Sequence, residues 1–93
     1  MTIIRSAKYT KALKEQMKFI SLNSKNRALV FKSEIDKHIN DLSHMPYKCR
    51  QSIYFQDETI RDLIYKGYTI VYKIDEIKAI ITIIGIKKYQ NEL

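Results

Sequence analysis

Two runs near the end of the chain constrain it most: IRDLIYKGYTIVYKI from Ile60 to Ile74, and KAIITIIGIKKY from Lys78 to Tyr89. Val, Ile, Tyr and Thr dominate both, and β-branched and aromatic side chains suit a pleated, half-buried surface. They are expected to be the central strands of a sheet. Within Tyr68–Ile74 the two-residue period puts Tyr68, Ile70, Tyr72 and Ile74 on one side and Thr69, Val71 and Lys73 on the other. The first set is the core face. The second mixes a hydroxyl, an apolar group and a cation, so that face is either solvated or reserved for a partner.

The segments before these runs read as helices. Ser6 can serve as an N-cap, and along Ala7–Leu22 the residues Tyr9, Leu13, Met17 and Ile20 form one apolar stripe opposite Lys8, Lys11, Lys14, Glu15 and Lys18. Asn23-Ser24-Lys25-Asn26 is a turn cluster. From Arg27 to about Ser43 a second stripe follows, carried by Ala28, Phe31, Ile35, Ile39 and Leu42. So short a connection favours an antiparallel helical hairpin, whose apolar stripes the later strands would cover. Pro46, the only proline, is expected to stop the second helix. Thr2–Arg5 and Gln51–Phe55 are β-prone, Lys66-Gly67 permits a bend or bulge, and Asp75-Glu76 turns the last hairpin. The expected architecture is one α+β domain over residues 1–93, of order β-α-α-β-β-β. Its helical hairpin packs on one face of an antiparallel sheet and leaves the other face open.

Composition limits the partners. The 93 residues carry a net charge of +7, which attracts polyanions: nucleic acid, an anionic membrane surface, or an acidic protein that neutralises it. No apolar run is long enough to span a bilayer, and the opening MTIIRSAKYTK lacks the apolar core of a signal peptide, so the cytoplasm is the expected location. Cys49 is the only cysteine, and His38 and His44 are six residues apart, neither i,i+3 nor i,i+4. No metal site and no cofactor are expected, and no Gly-rich phosphate loop is present. Lys48 and Arg50, in the loop after Pro46, are free to serve solubility or an anionic partner.

The order of elements, MPYKCR at Met45–Arg50, RDLIYKGYTIVYKI at Arg61–Ile74 and a final strand ending IGIKK together resemble the RelE/ParE superfamily of toxins from bacterial type II toxin-antitoxin modules. The resemblance covers nearly the whole chain. It implies a toxin wrapped by an acidic or amphipathic segment of a cognate antitoxin, for which Phe19 and Val30, off the main helical stripes, are candidate contacts.

The superfamily holds both ribosome-dependent mRNA endonucleases of RelE type and DNA gyrase inhibitors of ParE type. Cleavage of RNA by its own 2′-hydroxyl needs a base, a proton donor and cations for the phosphorane-like charge. Against the RelE pattern, Ile60 and Asp62 stand where strand lysines are expected, and Thr69 where an Arg follows the Gly-Tyr turn. Lys88 matches the final-strand Arg, and Ile86 and Lys87 occupy the region of the His used by related nucleases. Arg61-Asp62-Leu63 instead looks like the Arg-Glu-Leu of ParE-like members. The resemblance thus implies a non-enzymatic ParE-like toxin acting on a target such as gyrase, with Lys48, Arg50, Arg61 and Lys87 as contacts. The alternative is a nuclease acting on the ribosome with mRNA through Lys73, Lys88 and Tyr89. A non-toxic basic nucleic-acid-binding module is the third reading.

Overall fold

The computed structural model describes residues 1–88. It contains β1 (Thr2–Arg5), α1 (Ala7–Ser21), α2 (Lys25–Asp41), β2 (Arg50–Gln51), β3 (Ile60–Tyr65), β4 (Tyr68–Asp75) and β5 (Ile80–Lys88). The helical hairpin forms for the reasons visible in its residues. Ser6 Oγ accepts the Tyr9 N–H at 3.1 Å, and Ser24 Oγ accepts the Arg27 N–H at 3.1 Å, so each helix begins on a side-chain cap. Tyr9 and Leu13 of α1 and Ala28, Phe31, Ile35 and Ile39 of α2 are buried, with Leu42 just beyond. α2 stops at Asp41, well ahead of Pro46, so the proline does not end it. The helix closes on a tight last turn in which the Leu42 N–H reaches the Ile39 carbonyl at 3.0 Å.

The sheet has five strands in the order β1-β5-β4-β3-β2. Tyr68, Ile70, Tyr72 and Ile74 of β4 pack with Ile81 and Ile83 of β5 into one core beneath the helices, as the alternation predicts. Phe31 of α2 lies 4.7 Å from the Tyr68 ring. Arg5 Nη2 reaches across from β1 to Asp36 and Asn40 of α2, at 3.4 Å from each.

Three further expectations need correction. The sheet is mixed rather than antiparallel, because β1 runs parallel to β5, with Thr2 opposite Ile80 and Arg5 opposite Ile83. The Gln51–Phe55 strand shrinks to Arg50–Gln51, and Ile53, Tyr54 and Phe55 are exposed. Lys66-Gly67 is not a bend but the complete turn of a β3–β4 hairpin; both residues have positive φ, 43° and 82°, as a two-residue I′ turn demands. The bulge lies elsewhere: Val71 opposes Gly85 while Tyr72 opposes Ile83, leaving Ile84 as the extra residue.

Candidate functional site

Lys73 is exposed on the helix-free face of β4, between Ile60 of β3 and Thr82 of β5. Lys88 opposes Tyr68, a core residue, so it projects on the helix side; its Nζ lies 5.7 Å from the Phe19 ring of α1. The structure therefore does not bring these two together. The bulge separates them. Unbroken alternation along β5 would place Lys88 on the same face as Thr82, whose partner is Lys73, but one inserted residue transfers every side chain beyond it to the other face. Tyr89 lies outside the described residues.

The same shift brings Lys87 to the helix-free face opposite Thr69, with its Nζ 5.4 Å from the Tyr54 ring. It is four β4 residues from Lys73, about 13 Å at strand rise. Lys48 is exposed in the loop between α2 and β2. The two arginines are otherwise engaged. Arg61 Nε donates to the Glu58 carbonyl at 2.8 Å, its Nη1 donates to the Cys49 carbonyl at 3.1 Å, and the guanidinium stacks 4.8 Å from the Tyr47 ring centre. Together with the Tyr72 hydroxyl, which donates to the Pro46 carbonyl at 2.6 Å, it pins the 43–49 loop against the core. Burial, and then the neighbouring Cys49, raise the Tyr72 phenol above its ordinary range, so it stays a donor.

Arg50 contacts Asp62, whose side chain is fully shielded from solvent. In the sequence Asp62 stands out only as the residue at a strand-lysine position and as part of Arg61-Asp62-Leu63, not as a buried carboxylate. A signal was present, since a carboxylate between Ile60 and Ile64 on one face of a central strand must find internal partners. It accepts the Ile53 N–H at 3.2 Å. Ser52 Oγ accepts the Tyr54 N–H at 3.2 Å, and the Ser52 N–H reaches the Ile60 carbonyl at 2.8 Å. At the far end Asp57 Oδ1 accepts the Thr59 N–H at 2.9 Å and the Thr59 hydroxyl at 2.7 Å; these bonds lead in holding its carboxyl below the usual range. This polar frame positions the 52–59 segment so that Tyr54 and Phe55 cross part of the face expected to be open.

Phe19 and Val30 are 61% and 51% exposed on the helical hairpin. Val30 borders a shallow groove with Ile20, Arg27, Tyr65 and Lys66. The His38 ring lies 5.2 Å from the Tyr65 ring, tilted by 48°, and no group of three His, Cys, Asp or Glu among the described residues could hold a metal. No helix of the described residues is long and apolar enough to cross a membrane.

Two solved structures share this architecture. A chain of the chromosomal ParDE toxin-antitoxin system from P. aeruginosa is 14% identical; the match covers 97% of each chain with a TM-score of 0.77. A chain of the RelBE2 toxin-antitoxin complex from Mycobacterium tuberculosis is 13% identical, with 97% of this chain and 92% of that one covered and a TM-score of 0.66. At such identities the likeness establishes the fold. No curated protein sequence matches. The family described as the ParE toxin of the type II toxin-antitoxin system parDE matches residues 3–91, nearly the whole length. The chain belongs to the ParE toxin family of type II toxin-antitoxin systems.

Proposed function

We propose that this protein arrests bacterial growth by binding a protein target, DNA gyrase, and that a cognate antitoxin neutralises it. The observation that carries the non-enzymatic reading is the separation of Lys73 from Lys88 by the full thickness of the sheet. A 2′-hydroxyl attack needs base, acid and cation around one phosphate, within hydrogen-bonding reach of the reacting atoms. Lys73 and Lys88 offer no such shared point, and Arg50 and Arg61 are turned to internal partners.

An antitoxin partner suits the same surface facts. The net charge of +7 calls for an acidic neutraliser, and the exposed apolar residues of the helical hairpin give an added helix or strand something to bury. Gyrase works in the bacterial cytoplasm, so the toxin would act there.

The test is inducible expression in bacteria with two readouts, the integrity of translated mRNA by primer extension and the supercoiling of a reporter plasmid. Growth arrest with intact mRNA and altered supercoiling is expected, with relief on co-expression of the antitoxin. Cuts at codon positions would transfer the protein to the ribonuclease class, and unaffected growth would leave a non-toxic module.

A further inference from the structure

On the helix-free side of the sheet, a groove of about 350 Å³ opens at the β5 bulge. Its floor is Val71, Ile84 and Gly85 with the strand beside them at Ile86, whose side chain packs on the core, and one wall is the Tyr54-Phe55 corner of the 52–59 segment. Lys8, from the first turn of α1, and Lys87 stand at its rim. None of its described lining residues is a carboxylate.

Gly85 is the informative residue. It interrupts a strand otherwise made of Ile, Thr and Lys, where glycine weakens pairing and packs nothing. The backbone does not call for it, because Gly67 is the only described glycine with positive φ. A Cβ built at Gly85 meets no atom within 4 Å. A side chain is therefore affordable to the fold, and what glycine supplies is the open space at the floor of the groove. The wall is preorganised as well, since the Asp62, Ser52 and Asp57 hydrogen bonds hold the two aromatic residues in place before any partner arrives.

We propose that this groove receives the toxin's target: an acidic segment of that protein seats one bulky apolar or aromatic side chain over Gly85, against Tyr54 and Phe55, with flanking carboxylates on Lys8 and Lys87. The proposal rests on the target-binding reading above and assigns it a surface. Charge complementarity selects the occupant. A second copy of a chain at +7 is repelled, and the antitoxin candidates Phe19 and Val30 lie on the helical hairpin, across the sheet. A nucleic acid strand would need cations spaced along its phosphates. The next cation on this face, Lys73, stands about 13 Å from Lys87 along the strand and adds its charge to the field that lowers the Asp57 carboxyl, after the Thr59 hydrogen bonds. That is a basic rim with an acidic neighbour, not a phosphate track.

The experiment uses Gly85→Leu, whose Cβ meets no atom within 4 Å and whose longer side chain occupies the floor, and the double variant Lys8→Glu/Lys87→Glu, which reverses the rim at exposed positions. Each full-length chain is expressed from a titratable promoter for growth arrest. Each is also purified for its thermal midpoint, for antitoxin affinity, and for binding of a labelled single-stranded RNA. Both variants are expected to keep the midpoint and the antitoxin affinity while needing about tenfold or more inducer to arrest growth, the effect of blocking a binding hot spot. Arrest at wild-type inducer levels by folded Gly85→Leu or by the double variant overturns the proposal. So does loss of antitoxin affinity, which would give the groove to the antitoxin, and so does RNA bound by the wild type and released by the variants. A wild-type chain that leaves growth untouched overturns the toxin reading, and the docking site with it.

Discussion

The Arg50 guanidinium stands 3.4 Å from the carboxylate of Asp62, joining a half-exposed cation to an anion without solvent contact. The two ends of this pair are unequal. Removing the cation strands a buried charge, whereas neutralising the anion leaves an arginine that water can solvate. Arg50→Ala is expected to cost about 2 kcal/mol, below the range for a fully buried pair because Arg50 already meets water. Asp62→Asn keeps an acceptor for the Ile53 N–H and is expected to cost at most about 1 kcal/mol. In the Asp62→Asn background the Arg50 substitution should cost little. Urea unfolding of the four chains measures this; equal losses for both single variants would contradict it.

Tyr9 is completely buried, and its hydroxyl finds no hydrogen-bond partner among the described residues. Burial first, then the charge of Asp36, push its phenol up to about 12, with Arg5 pulling the other way. Tyr9→Phe removes an undersatisfied polar group and is expected to leave stability unchanged or raise it by about 1 kcal/mol at neutral pH. The pH dependence has a definite sign. The folded state holds this proton more tightly than the unfolded one, so the contribution is complete below about pH 10, the unfolded value, and disappears as pH rises toward 12. Unfolding midpoints between pH 9 and 12 should therefore fall less steeply for Tyr9→Phe than for the wild type; parallel slopes would remove the linkage.

The Lys66-Gly67 turn holds a lysine at φ 43° and a glycine at 82°. Asn tolerates the left-handed region better than Lys, so Lys66→Asn is expected to stabilise the hairpin by about 0.5 kcal/mol. Gly67→Val places a β-branched residue where one is strained and should cost more than about 1 kcal/mol. Thermal midpoints moving in opposite directions would bear this out, and a neutral Gly67→Val would refute the I′ assignment.

Phe19 and Val30 are too exposed to contribute much to the core. Changing both to Ser is expected to shift the unfolding midpoint little while weakening antitoxin binding by about tenfold or more, as truncated interface anchors do. Titration calorimetry against the antitoxin decides it, and an unchanged affinity would remove the helical hairpin from that interface.

The helices and core were legible because they rest on local periodicity. Tyr9 and Leu13, the α2 stripe, and the alternation from Tyr68 to Ile74 all fall where the sequence puts them. What stayed hidden depends on contacts far apart in the chain. Nothing in Thr2–Arg5 says whether it meets the last strand parallel or antiparallel. Ile53 and Phe55 alternate like a strand, yet the Ile53 N–H goes to Asp62 instead of a ladder partner. The fate of the candidate lysines turned on Ile84, an isoleucine among isoleucines, whose bulge sends Lys88 to the helix side and brings Lys87 beside the groove.

A supercoiling assay with purified gyrase tests the central claim most directly. Relaxed plasmid, gyrase and ATP are combined with the purified toxin, with and without its antitoxin, and an mRNA under translation by purified ribosomes is treated with the same toxin in parallel. The account predicts dose-dependent loss of supercoiling, reversed by the antitoxin, with the mRNA intact. Undiminished supercoiling at toxin concentrations that arrest growth in cells would contradict it.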